Sequence, residues 1–213
     1  MNSLLRFLSS SIGKKVQMAL TGLLLCGFLV VHLAGNLFLY KDAETFNHYA
    51  RALEGNLLLP AAEIGLAALF VLHIITALRA TWENRRARPV AYEASRPAGG
   101  STFSSRMMVF SALVLFAFLV VHLKTFRFPA EKPEDIYRLV MAAFSNKFYA
   151  SFYVLAMGAL ALHLNHGFQS GFQTLGVSHP RYTPWIRGFG CAFAWIVALG
   201  FASIAFWAGF LIR

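Results

Sequence analysis

Phe28-Leu29-Val30-Val31-His32-Leu33 recurs letter for letter as Phe118-Leu119-Val120-Val121-His122-Leu123, ninety residues further along the chain. Leu72-His73 recurs as Leu162-His163 at the same spacing, without a gap. Two separate matches in one register describe a duplication, with units over about 12–84 and 102–174 and an unpaired stretch at 186–212. Each repeated histidine sits in a long apolar run. The runs are Val16–Tyr40, Leu57–Leu78, Met107–Leu123 (extendable to Phe128), Phe148–Pro180 and Gly188–Ile212. Crossing a hydrocarbon core of about 30 Å takes roughly 20 apolar residues, so five transmembrane helices are predicted. With two spans per unit, the units are parallel and related by an axis along the membrane normal.

Composition agrees with lipid as the solvent. The 213 residues are 58% hydrophobic and only 13% charged, against roughly 25% charged in an ordinary soluble domain. The net charge of +10 is a poor argument for nucleic acid, because the basic residues lie between the apolar runs and not on a polar surface. Cys26 and Cys191 both fall inside apolar runs, which leaves no disulfide framework and no Cys-x-x-Cys metal site.

The loops divide by charge. The N-terminus, the loop from Arg79 to Arg106 and the loop around Arg181 to Arg187 are rich in Lys and Arg and nearly free of acids. Asp42, Glu44, Glu54, Glu131, Glu134 and Asp135 gather in the other two loops. Positive-inside bias then puts the N-terminus in the cytoplasm and the C-terminus on the far side, which an odd number of spans requires. Pro89, Pro97, Gly99 and Gly100 mark the stretch 85–105 as an irregular connection. Asp42–Leu53 and Glu134–Phe144 have helical spacing and are predicted as short helices on the outer surface. The second half of the fourth run turns polar at Asn165, Gln169, Ser170 and Gln173, where the helix is expected to leave the lipid.

Histidine depth gives the chemistry. At 1.5 Å per residue, His32 and His122 each lie roughly 22–24 Å past the inner ends of their spans, near the outer face. His73 and His163 lie about as far across in the opposite direction, near the inner face. Ionisable groups inside a membrane are costly and point to function. Two layers of two imidazoles from different helices suit bis-histidine ligation of two b-type haems in a four-helix core. Zinc would need further ligands in each layer, and no suitable Cys or acid lies at those depths. Histidines that merely hydrogen-bond across helices are the plainer alternative. His166, three residues after His163, is the competing ligand, whereas His48 and His179 read as surface residues.

The arrangement resembles a family at this point. Ser11-Ile12-Gly13-Lys14-Lys15, Met18, Thr21-Gly22 and Val31-His32-Leu33-Ala34-Gly35-Asn36 are similar to stretches of the cytochrome b558 subunit of succinate dehydrogenase/fumarate reductase. So are Leu72-His73, His163-Leu164-Asn165-His166-Gly167-Phe168-Gln169-Ser170 and Leu175-Gly176, and the likeness covers essentially the whole chain. It is to the single-chain, di-haem type of membrane anchor, which would make residues 1–213 one transmembrane cytochrome b domain.

The resemblance implies two haems b, held by His32 with His122 and by His73 with His163. It implies a menaquinone site in a bacterial cytoplasmic membrane. The partners it implies are a cytoplasmic flavoprotein carrying FAD and an iron–sulfur subunit; dimerisation of the complex stays open. Electrons would run between menaquinol and fumarate or succinate through these groups. Some family members use an acidic residue near the outer end of span 2 at the quinol site. Glu54 has the corresponding spacing from His32, and Glu63 lies inside the span. Some members carry a Glu two residues before the fourth ligand as a proton path, where this chain has Ala161. Haem propionates are expensive in lipid and need basic partners, for which Lys14, Lys15, Arg79 and Arg106 are the inner candidates. Two other readings are a cytochrome b anchor of another dehydrogenase or hydrogenase, and a transporter built on the parallel repeat.

Overall fold

The structure is a computed structural model that describes residues 3–87, 102–130 and 134–212. Among them every regular element is a helix. A short helix α1 (Ser3–Ser9) leads into α2 (Ser11–Asn36), which is capped by the Ser10 hydroxyl accepting from the Gly13 amide at 3.0 Å. A 3-10 turn, Leu37–Tyr40, closes it. Next come α3 (Ala43–Glu54), α4 (Leu59–Arg86), one-turn α5 (Phe103–Arg106) and α6 (Met108–His122), which runs into a π-turn at Leu123–Arg127. The chain ends with α7 (Ile136–Ser145), α8 (Lys147–Thr174) and α9 (Thr183–Phe206), followed by a second π-turn, Trp207–Leu211.

Five segments are long and apolar enough to cross a bilayer: Ser11–Tyr40, Leu59–Arg86, Met108–Arg127, Lys147–Thr174 and Thr183–Leu211. The protein is therefore all-α and of multi-pass membrane type. Large side chains left exposed, among them Leu57, Ile64, Phe148 and Leu155, fit a surface that meets acyl chains. The bounds differ from expectation in two places. Helix α4 runs two turns past Leu78, because Ala80 to Arg86 holds no helix breaker and Arg85 and Arg86 complement the C-terminal dipole. Helix α8 stops at Thr174, where Gly176 takes a positive φ of 84° that suits glycine. Residues 88–101, which include Pro89, Pro97, Gly99 and Gly100, lie outside the described residues, as does Glu131.

Helices α2 and α8 are the inner members of the bundle. Helix α2 packs against α4, α8 and α9, while α8 packs against α2, α6 and α9. Hydrophobicity drives none of this inside lipid, so helices associate through close approach of small residues. The α8/α9 seam is built that way, with buried Ala150 and Ala205 in one cluster and Ala156 and Ala194 in another. Gly209 completes it: a Cβ there would stand 2.5 Å from that of Ala150 and 3.1 Å from the Phe144 carbonyl oxygen. The polar tail of α8 stays helical, since Asn165 donates to the Ser104 hydroxyl at 3.1 Å and accepts from Gln169 at 3.0 Å.

The two surface helices extend the ninety-residue register beyond the spans. Asn47 of α3 and Tyr137 of α7 are equivalent positions, and they meet: Asn47 Oδ1 accepts from the Tyr137 amide at 2.9 Å. Asn47 Nδ2 donates to Asp135, whose carboxylate also caps α7 by accepting from the Arg138 amide. These bonds hold the Asp135 carboxyl below its ordinary value, with the Arg138 amide the largest cause. A lowered folded-state value means stability present above the unfolded value, about 3.9, and lost as pH falls through the folded one. Hydrogen exchange across 43–54 and 136–145 is therefore expected to keep its protection from neutral pH down to about pH 4. Below that it should loosen, and Asp135→Asn, which can still cap, should flatten the dependence.

Candidate functional site

Four histidines meet in two pairs inside the bundle. His32 of α2 faces His122 at the end of α6, with ring centroids 5.9 Å apart and planes at 89°. His73 of α4 faces His163 of α8 at 6.4 Å and 74°. Each pair thus joins a helix of the first repeat unit to one of the second. Metal–imidazole bonds run about 2 Å. Adding roughly 1 Å from each nitrogen to its ring centre, two imidazoles on one metal would have centroids about 6 Å apart. Both pairs have that separation.

The repeat also orients the rings. Phe28 stacks on His32 at 5.1 Å and 16°, and Phe118 stacks on His122 at 5.6 Å and 25°. Both are i, i+4 pairs, which lie one above the other on a helix face. Phe201 and Phe126 approach the same two histidines, at 5.6 and 5.4 Å. Hydrogen bonds reach the Nδ1 side of the rings. Thr21 stands 3.2 Å from His73 Nδ1, Ser111 3.4 Å from His163 Nδ1 and Tyr153 3.3 Å from His122 Nδ1. Asn36 lies 3.5 Å from His32 Nδ1.

Two helices carry contacts to both layers. On α2, Thr21 reaches one pair and His32 belongs to the other, eleven residues on. On α8, Tyr153 and His163 are ten residues apart and divide the same way. At 1.5 Å per residue the layers are roughly 15–17 Å apart along the bundle.

It is His163, not its neighbour His166, whose ring meets His73. His48 is exposed on α3. His179 is exposed before α9, where its ring accepts from the Arg181 amide at 3.2 Å. Among the described residues no group of three or more His, Cys, Asp or Glu could hold a metal ion, so each layer offers two imidazoles and nothing further.

The basic candidates stand at the end of the bundle nearer the His73–His163 pair. Lys14 is half-buried and ion-paired with Glu83 of α4, while Lys15, Arg79 and Arg106 are exposed. Lys14, Lys15 and Glu83 line a small cavity with Ser11, Ala80, Asn84 and Ala87. Lys14, Lys15 and Arg79 are six or seven positions along their own helices from Thr21 or His73, so about 9–11 Å from that layer, and Arg106 ends α5 five residues before Ser111.

The acidic candidates stand at the other end, near His32 and His122. Glu63 of α4 accepts two hydrogen bonds from Arg127, both at 2.8 Å, in the bidentate form that suits a guanidinium. Arg127 closes the π-turn that begins one residue after His122. Glu54, exposed at the end of α3, lies within electrostatic reach of the same arginine. An acid inside an apolar run is thereby tied to a cation five residues beyond His122.

Sequence reading missed three polar neighbours of the histidines: Thr21, Ser111 and Tyr153. The signal for two of them was present, since Thr21 and Ser111 are themselves ninety residues apart, each 52 before its histidine. Comparison with protein-family models, with curated proteins and with solved structures finds no match to this chain.

Proposed function

We propose that this protein is a di-haem cytochrome b, the membrane anchor and electron-transfer subunit of a succinate:quinone oxidoreductase. The observation that carries the reading is the meeting of four intramembrane histidines in two pairs, each at bis-imidazole separation and drawn from both repeat units. The donor set fits a haem b. Each layer has two imidazoles on different helices, within an apolar helical bundle, that would hold one haem iron between them. When bound, the two haems supply reversible one-electron chemistry at iron.

The chain's own residues do the rest. His32 with His122, and His73 with His163, would each hold one iron. Phe28 and Phe118 keep the first pair's planes from turning. Lys14, Lys15, Arg79 and Arg106 supply positive charge where the propionates of the inner haem would emerge, with Lys14 shared with Glu83. Glu54 and Glu63 stand at the opposite end as candidates to take protons from a quinol. In this reading Lys14 and Arg79 face the cytoplasm of a bacterium and α3 and α7 face outward. The flavoprotein and iron–sulfur subunits dock on the cytoplasmic side, menaquinol is the membrane substrate, and nucleic acid has no part.

A reduced-minus-oxidised visible spectrum of the purified protein tests the first half. Two b-type haems per chain are expected, and a spectrum without them would return the histidines to a transporter or a structural role. Co-purification of an FAD-containing dicarboxylate oxidoreductase tests the second half. A hydrogenase or formate dehydrogenase as the co-purifying partner would keep the cytochrome and reassign the complex.

A further inference from the structure

We infer that Thr21 and Ser111 are positioning residues that fix the tautomer of His73 and His163, leaving Nε2 of both rings as the ligating atom. The inference rests on the haem reading and deepens it by naming what prepares the inner pair. A hydroxyl has one proton to give and two lone pairs to accept with. The Thr21 proton is committed to backbone carbonyls: its Oγ1 lies 2.7 Å from the Gln17 oxygen and 3.2 Å from that of Met18. Ser111 Oγ likewise lies 3.1 Å from the Met108 oxygen. Each hydroxyl therefore turns a lone pair toward the imidazole, so His73 and His163 donate from Nδ1–H. An imidazole protonated at Nδ1 carries its free lone pair on Nε2.

Both hydroxyls are well shielded. Thr21 is 4% exposed and Ser111 is 0% exposed. Neither helix needs a hydroxyl there for its own backbone, since Ser and Thr bonding to a carbonyl one turn back is mildly destabilising in a helix interior. The same device nonetheless stands at both equivalent positions of the repeat. Gly22 adds to the fit, because a Cβ there would stand 3.1 Å from His73 Cε1 and crowd the ring Thr21 orients.

The other pair lacks the device. Asn36 brings an amide nitrogen, a donor only, within 3.5 Å of His32 Nδ1, so no oxygen stands there to accept from an Nδ1–H. Between Tyr149 and Tyr153, 2.8 Å apart, either hydroxyl can be the donor, so Tyr153 does not dictate the state of His122. The inner pair is preset and the outer pair is not.

The test uses the full chain in its native complex with Thr21→Val and Ser111→Ala, and Thr21→Ser and Ser111→Thr as conservative rescues. Haem loss to a soluble haem scavenger and a redox titration read the effect apart from activity. Losing the hydrogen-bond partner of a metal-ligating histidine typically costs 10–100-fold in metal affinity. The inner haem of Thr21→Val or Ser111→Ala is expected to be about 10-fold or more easier to remove. With a less basic ligand, its ferrous form should be favoured about threefold at fixed potential. At 59 mV per tenfold for one electron, that is about 28 mV upward. The outer haem should be unmoved, and the rescues should behave as wild type. Unchanged retention and potential in both variants would overturn the inference while leaving two haems in place. A wild-type protein without haem would overturn the haem reading instead. Nitrogen-15 resonances of its histidines would then decide the tautomer alone: Nδ1–H at His73 and His163 upholds the inference, and Nε2–H sinks it.

Discussion

Replacing His32 or His122 with alanine is expected to remove one b haem and leave the other. Replacing His73 or His163 should remove the second and spare the first. The effect is expected to be all-or-none for the affected layer, because among the described residues no third His, Cys, Asp or Glu joins either pair. The pairing across the repeat makes the result specific. His32 and His122 come from α2 and α6, ninety residues apart, yet their variants should have the same optical phenotype. His166→Ala is the discriminating control, since its ring is not the one that meets His73, and both haems should persist. Haem quantification with low-temperature spectra of membranes from each variant would read the outcome. Loss of both haems on His166→Ala, with both retained on His163→Ala, would overturn the assignment.

Much of this was legible because the register is encoded twice. A six-residue identity and a Leu-His pair at one offset imply parallel units, and the helix rise then sorts four histidines into two depths. The structure places His32 against His122 and His73 against His163, as that arithmetic requires. The amphipathic loops were readable for the same reason. Apolar residues at helical spacing between Asp42 and Leu53, and between Glu134 and Phe144, become α3 and α7, joined through Asn47.

What the sequence hid are contacts between residues whose local pattern is unremarkable. A Ser or Thr in a transmembrane run ordinarily bonds to its own helix, so the local pattern at Thr21 and Ser111 was silent and only their shared ninety-residue register hinted at an imidazole across the groove. Nothing in the sequence singled out Arg127; the π-turn after His122, which no apolar periodicity announces, carries it to Glu63. Lys14 was a candidate anion partner, but the extension of α4 past Leu78 brings Glu83 beside it.

That arginine changes the balance between the two acids proposed for the quinol site. Quinol oxidation releases two protons, and the residue receiving the first must be able to pass it to water. Both Glu63 oxygens accept from Arg127 at 2.8 Å, so this carboxylate serves as the bidentate partner of the arginine that follows His122. Glu54 sits at the same end, exposed at the last turn of α3 and within the field of the same cation. Glu54→Gln is therefore expected to lower menaquinol oxidation by about 10²–10⁴-fold, the span of a general base. Both haems, and fumarate reduction from a soluble donor, should survive. Glu63→Gln instead leaves Arg127 without its bidentate partner at the junction of α4 and α6. Its expected signature is a shift in the outer haem's spectrum with quinol activity reduced by less than about tenfold, below that span. Full quinol activity in Glu54→Gln alongside its loss in Glu63→Gln would exchange the two roles. Full activity in both would move the quinol to the opposite end of the bundle, beside Lys14.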